Sequence, residues 1–168
     1  ITNSWRGIEF NSVSDYEKGN HWTITTTNDT TGTYIKTTQK INAYINYGAT
    51  IDTNSQNNDN VYVKIQTSVD TSNWVDVPQS TITINAPSAT PHYYHSNGSC
   101  MVELNENTYI RAVVKTTDNA IDLISNSNNG NTYLSIFDMF GGLQGPTGPA
   151  NGPPGPTGPP GNTIEYMT

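Results

Sequence analysis

Ile41-Asn42-Ala43-Tyr44-Ile45-Asn46-Tyr47 decides the fold, because its side chains change character at every step. Successive side chains of an extended chain point to opposite faces, so Ile41, Ala43, Ile45 and Tyr47 share one face and Asn42, Tyr44 and Asn46 the other. Such a segment predicts a strand with one side in a core. The same period recurs in Val61, Val63 and Ile65 against Tyr62, Lys64 and Gln66, in Cys100, Val102 and Leu104, and in Ile110, Ala112 and Val114. Further strands are expected over 7–13, 21–27, 33–40, 72–77, 81–84, 121–125 and 132–140, where Thr, Tyr, Val and Ile gather. Asn28-Asp29-Thr30-Thr31-Gly32, residues 53–60, Ser96-Asn97-Gly98 and Asn128-Asn129-Gly130-Asn131 read as the turns between them. No apolar run has helical spacing over a useful length. About eight to ten short strands over roughly 140 residues predict an all-β antiparallel sandwich or jelly roll.

The rest of the composition agrees. Of 168 residues, 33% are hydrophobic and 12% charged, so most of the polar remainder is Asn, Thr and Ser. These side chains compete with the backbone for hydrogen bonds and disfavour helix interiors. The net charge is −7, with only seven Lys and Arg, scattered singly. Nucleic-acid binding draws its affinity from clustered cations, and adhesion to anionic lipid does the same, so neither is expected. No apolar stretch reaches the roughly 18 residues that a spanning helix needs, and no membrane insertion is expected. No leader is visible, and a start at Ile1 reads as a processed or trimmed chain.

A second texture begins at Gly142. Gly142-Leu143-Gln144, Gly145-Pro146-Thr147 and Gly148-Pro149-Ala150 are followed by an extra Asn151. Then Gly152-Pro153-Pro154, Gly155-Pro156-Thr157 and Gly158-Pro159-Pro160 run to Gly161. Glycine at every third position is what three polyproline-II chains need where they meet at a crowded axis, and proline pre-sets the backbone angle of the others. A single-chain linker has no reason to keep that period. The expected division is therefore a head over 1–141, a collagen-like triple-helical stalk over 142–161, and a tail or the start of a further segment over 162–168. Six interrupted triplets make a weak triple helix, so the head is expected to hold three chains in register.

Three stretches of the head and a closing strand carry a family resemblance. Trp22-Thr23-Ile24-Thr25 with Gly32-Thr33-Tyr34-Ile35 looks like a Gly-x-Tyr approach to a long central strand. Asn60-Val61-Tyr62-Val63-Lys64-Ile65-Gln66 resembles an alternating strand, and residues 102–113 place Leu104 before a polar turn and a further strand. Asn131-Thr132-Tyr133-Leu134-Ser135-Ile136-Phe137 looks like an aromatic closing strand. Together they resemble the C1q/TNF-like jelly roll, a family of homotrimers often joined to collagen-like segments. The family's Leu-x-x-Gly-Asp turn is Leu104-Asn105-Glu106-Asn107-Thr108 here, and the stalk follows the head instead of preceding it. The resemblance implies a non-catalytic homotrimeric fibre or spike, and the reversed order suits the surface of a virion, phage or spore. The alternative it implies is a recognition protein whose head loops bind a protein receptor or glycan.

Chemistry is sparse. Cys100 has no second cysteine to pair with and reads as a small buried hydrophobe. A Cys/His pairing with His92 or His95 exists on paper, but Pro91-His92-Tyr93-Tyr94-His95 reads as a loop without a nucleophile elbow. The two histidines, alone or with symmetry mates, form a weak metal pattern. Asp52 with Asp59 and Glu103 with Glu106 are loose carboxylate groups, and no twelve-residue calcium loop or phosphate-cradling glycine loop exists. No catalytic residue, metal ligand or cofactor is therefore assigned. Asn28 and Asn97 open glycosylation acceptor triplets, and Thr147 and Thr157 take the outward third position of stalk triplets. Tyr62, Tyr93, Tyr94 and Trp74 are the aromatic candidates for carbohydrate or protein recognition.

Overall fold

In β5, Ile41–Thr53, every second residue from Ile41 to Ile51 is buried, the phase expected from the sequence. This strand is the spine of one of two antiparallel sheets in a computed structural model. The structure describes residues 4–10, 13–15, 22–25, 32–53, 59–87, 92–117, 121–124, 131–139 and 164–167. The strands before β5 are β1 (Arg6–Gly7), β2 (Val13–Asp15), β3 (Trp22–Thr25) and β4 (Tyr34–Thr37). After it come β6 (Asp59–Ser68), β7 (Val75–Asp76), β8 (Ile82–Ala86), β9 (His92–Leu104) and β10 (Tyr109–Thr116). The last are β11 (Ile121–Ile124), β12 (Tyr133–Asp138) and β13 (Ile164–Met167). No helix occurs among the described residues.

β9 runs along one side of β5 over its whole length, while β12 and β11 share the other side, and β13 and β2 continue outward from β12. The second sheet has the order β3-β4-β10-β6-β7, with β1 beside β10 and β8 beside β6. One hydrophobic cluster takes Ile45, Tyr47 and Ile51 from β5, Leu134 and Ile136 from β12, Val63 and Ile65 from β6, and Ile110 and Ala112 from β10. Because it draws on both sheets, they face each other as a β-sandwich. Burying one such isoleucine stabilises the fold by about 2–3 kcal/mol.

A polar clasp joins the layers. The Tyr47 hydroxyl, from the first sheet, donates to the Ser80 carbonyl. The Ser80 hydroxyl accepts from the Ile65 N–H at 3.1 Å and donates to the Val77 carbonyl at 2.7 Å, within the second sheet. A second clasp closes the β9–β10 connection, where the chain changes sheet. Thr37 Oγ1 donates to the Asn105 carbonyl at 2.7 Å, and the Asn107 N–H donates to the Thr37 carbonyl at 2.9 Å. Asn107 has φ of +62°, so asparagine, which tolerates that region, fills the left-handed position of the turn. Gly32, at φ of +73°, is required twice over: a Cβ there would lie 2.5 Å from the Gly7 carbonyl carbon.

Several expected boundaries are corrected. Ser96-Asn97-Gly98 is no turn but the middle of thirteen-residue β9, and His92 to His95 form the start of that strand instead of a loop. The cause is tertiary. Gly98 lies opposite Tyr47, and a Cβ on it would sit 3.0 Å from the Tyr47 hydroxyl and 2.5 Å from Ile82 Cγ2, so glycine here makes room for a ring. The strand expected over 7–13 divides into β1 and β2, with Ile8 in the core and its N–H bonded to the Ala112 carbonyl. That expected over 72–77 shrinks to β7, because Asp70 accepts from the N–H groups of Ser72 and Asn73 at 2.9 and 2.7 Å and bends the chain. Those bonds, Asn73 first, hold the Asp70 carboxyl well below the usual carboxylate range.

The run from Gly142 to Gly161 lies outside the described residues, as does Asn28. Beyond the run, a strand not expected from the sequence is present. β13 lies between β12 and β2, with Leu134 opposite Met167, Phe137 opposite Ile164, and Glu165 opposite Asp15.

Candidate functional site

The outward phase of β5, β9 and β12 builds one candidate surface. Cross-strand register sets Tyr44 beside Met101 and Phe137, Asn46 beside Ser99 and Ser135, and Gly48 beside Asn97 and Tyr133. The Tyr44 and Phe137 rings are 6.0 Å apart and tilted by 50°. The Tyr133 ring lies over Gly48, 2.6 Å from where a Cβ would be. Met101 is 63% exposed and Tyr93 47%. On these three strands the stripe carries no carboxylate or ammonium between Asp52 at one end and Glu103 at the other. Glu103 is paired with Lys40 at 2.8 Å. Ser135 is buried within the stripe, and its hydroxyl has no partner among the described residues.

The outward phase of the second sheet is different in kind. Arg111 donates to Gln66 Oε1 through Nε at 3.1 Å and Nη2 at 2.9 Å. Gln66 donates to Asp76 Oδ1 at 2.8 Å, and Lys64 reaches Asp76 Oδ2 at 2.6 Å. The Arg111 guanidinium also stacks 3.9 Å from the Trp74 ring, Lys64 lies 3.9 Å from the Trp5 ring, and Lys36 is 5.6 Å from that of Tyr109. Tyr34 links the set, edge-on to Tyr109 at 5.6 Å and tilted against Trp74 at 6.3 Å. The hydrogen bond from Lys64, then that from Gln66, lowers the Asp76 pKa. The result is a lattice in which Lys36, Lys64 and Arg111 each have a ring or a carboxylate beneath them.

The candidate residues now have places. Cys100 is buried and free. It sits an odd number of residues from His95 on one strand, so the thiol points into the core while the exposed His95 bonds Thr50 Oγ1 at 3.0 Å on the outer face. Burial pushes the Cys100 thiol up to about 11, the reverse of an activated nucleophile. His92 lies on β9 opposite Thr53. Asp52 ends the outer stripe, Asp59 is buried at the start of β6, and Glu106 is exposed beside Asn107. Among the described residues no group of three or more His, Cys, Asp or Glu side chains is placed to hold a metal.

Asn97 stands exposed on a strand instead of in the expected loop. Trp74 is part of the cation lattice, Tyr94 packs on the core, Tyr62 is half-buried on the second sheet, and Tyr93 is the most exposed of the four. Sequence reasoning passed over Tyr44, Phe137 and Met101, although the period-2 rule puts all three on the outward phase. No family model and no curated protein matches the chain.

Proposed function

We propose that the chain is a non-catalytic structural module that assembles as a homotrimer, with a C1q/TNF-like jelly-roll head and a collagen-like stalk, on an extracellular or virion, phage or spore surface. The observation that carries this reading is the uncharged stripe of Tyr44, Phe137, Met101 and Tyr133 outside a sheet whose other face is already the core. A sheet face of that composition favours burial against another protein surface. The Gly-X-Y period supplies the number, since it serves no purpose below three chains. The crossing of the chain from one sheet to the other after β9 supports the jelly-roll reading. In this role the stripe holds three heads together and the triplets act as a spacer or connector.

Sedimentation equilibrium on the whole chain tests it: a mass of three chains or of a whole multiple of three is expected, and Met101→Glu, at an exposed position, is expected to give a folded monomer. A wild-type monomer at tens of micromolar would sink the proposal. A second reading, recognition of a protein receptor or glycan, is favoured by the aromatic lattice around Trp74 and by the exposed Tyr93. It requires a glycan or receptor screen with binding that Tyr93→Ala or Trp74→Ala removes.

A further inference from the structure

We infer that the lane between β12 and β2 is a strand-acceptor site, and that in the assembled protein its occupant is residues 164–167 of a second copy. The inference rests on the trimer-and-stalk reading. Its starting point is a conflict of lengths. Phe137 and Ile164 are direct partners across the β12–β13 ladder, so the 26 residues between them leave and return to one place. Wound into a triple helix, residues 142–161 run one way for about 60 Å at roughly 3.1 Å per residue. The six residues left over, 138–141 and 162–163, reach back no more than about 20 Å at full extension.

A wound stalk and a home-paired β13 are therefore mutually exclusive. Winding the stalk withdraws residues 164–167 from their own head and leaves β12 as an open edge from Leu134 to Phe137, with unpaired N–H and C=O groups. The segment whose register and direction match that edge is the same segment of another copy, a form of strand addition. Three such segments emerge together at the far end of one stalk, and three vacated lanes are presented by the next head with the same threefold arrangement. Each four-residue strand is weak alone, but three joined by one stalk act at high effective concentration. The contact is heterologous and does not close on itself, so it propagates as a linear fibre with one head and one stalk per repeat.

Cysteines at facing positions test this in the full chain, with Cys100→Ser removing the native thiol. Ser135→Cys and Tyr166→Cys occupy one rung of the ladder, and Ser14→Cys, which faces Tyr166 from β2, takes the place of Ser135→Cys in a second pair, in case the first disturbs folding. The single variants are purified separately, diluted to trimers, mixed, concentrated and mildly oxidised. Cross-linked two-chain species joining one variant to the other are expected, and the double variant is expected to give a ladder of multimers. An internally bridged single chain, or no bridge at all, in material that sediments as a trimer and shows the triple-helix circular dichroism band, overturns the inference while leaving the trimer reading intact. Monomers without that band overturn both.

Discussion

Tyr47 and Cys100 are two weak acids held protonated by the same core. Desolvation pushes the phenol up to about 12, with the neighbouring thiol adding to it, and the thiol up to about 11. Both folded values lie above those of the unfolded chain, so the folded state keeps protons that the unfolded state releases. The associated stability is complete below about pH 9 and drains away as pH rises through 11. Urea midpoints are expected to be flat from pH 7 to 8.5 and to fall above pH 10, by on the order of 2 kcal/mol in stability. Cys100→Ser should make that fall shallower. Gly32→Ala, which sets a Cβ against the Gly7 backbone at positive φ, should destabilise the head by about 3 kcal/mol, measured the same way. Gly32 could be picked out as a turn glycine from its own neighbours. Gly98 could not, because a ring from another strand, and no local signal, explains why a glycine after Ser-Asn lies in mid-strand.

Strands were legible wherever one face alternated, since that pattern is local: β5, β6 and β10 bury every residue of the expected inward phase, although Thr50, Lys64, Gln66 and Val113 of the other phase are buried as well. Their sheet membership was not. β9 and β10 are joined by four residues yet lie in different layers, and the clasp that holds the crossing pairs Thr37 with residues some seventy positions away. The outer stripe was written in the sequence, but it needs the β5–β9–β12 register to become a surface. The clasp at Ser80 belongs to this scale too. Ser80→Ala leaves the buried Ile65 N–H without its partner, and Tyr47→Phe leaves the Ser80 carbonyl likewise. Each should cost about 1–3 kcal/mol. Because both act on one junction between the sheets, the double variant should lose less than the sum by at least 0.5 kcal/mol or so in denaturant titrations.

For the whole molecule, the proposed trimer divides the labour between head and stalk. Six triplets interrupted at Asn151 are too few to nucleate a triple helix near room temperature, so an isolated 142–161 peptide should be monomeric. A chain cut after residue 141 should remain trimeric, since it keeps the stripe and loses only β13 and the triplets. Analytical ultracentrifugation of both pieces decides the point, and a monomeric head would mean that the stalk drives assembly. Gly155→Ala should lower the melting temperature of the triple-helix dichroism band and leave the unfolding of the head unchanged.

The cation lattice has a colloidal consequence. Four of the seven Lys and Arg side chains, Lys36, Lys40, Lys64 and Arg111, are already held against rings or carboxylates, while the chain carries a net −7. A surface coated with these heads should behave as a polyanionic brush, mutually repelling at low ionic strength. It should move toward the anode and pass anionic polymers without adhering to them. Adding salt to about 1 M shortens the screening length to roughly 3 Å, and neighbouring heads should then crowd far more closely. Light scattering across a salt series would register that as a drop in interparticle repulsion, with Arg111 and Lys64 still seated on their tryptophans.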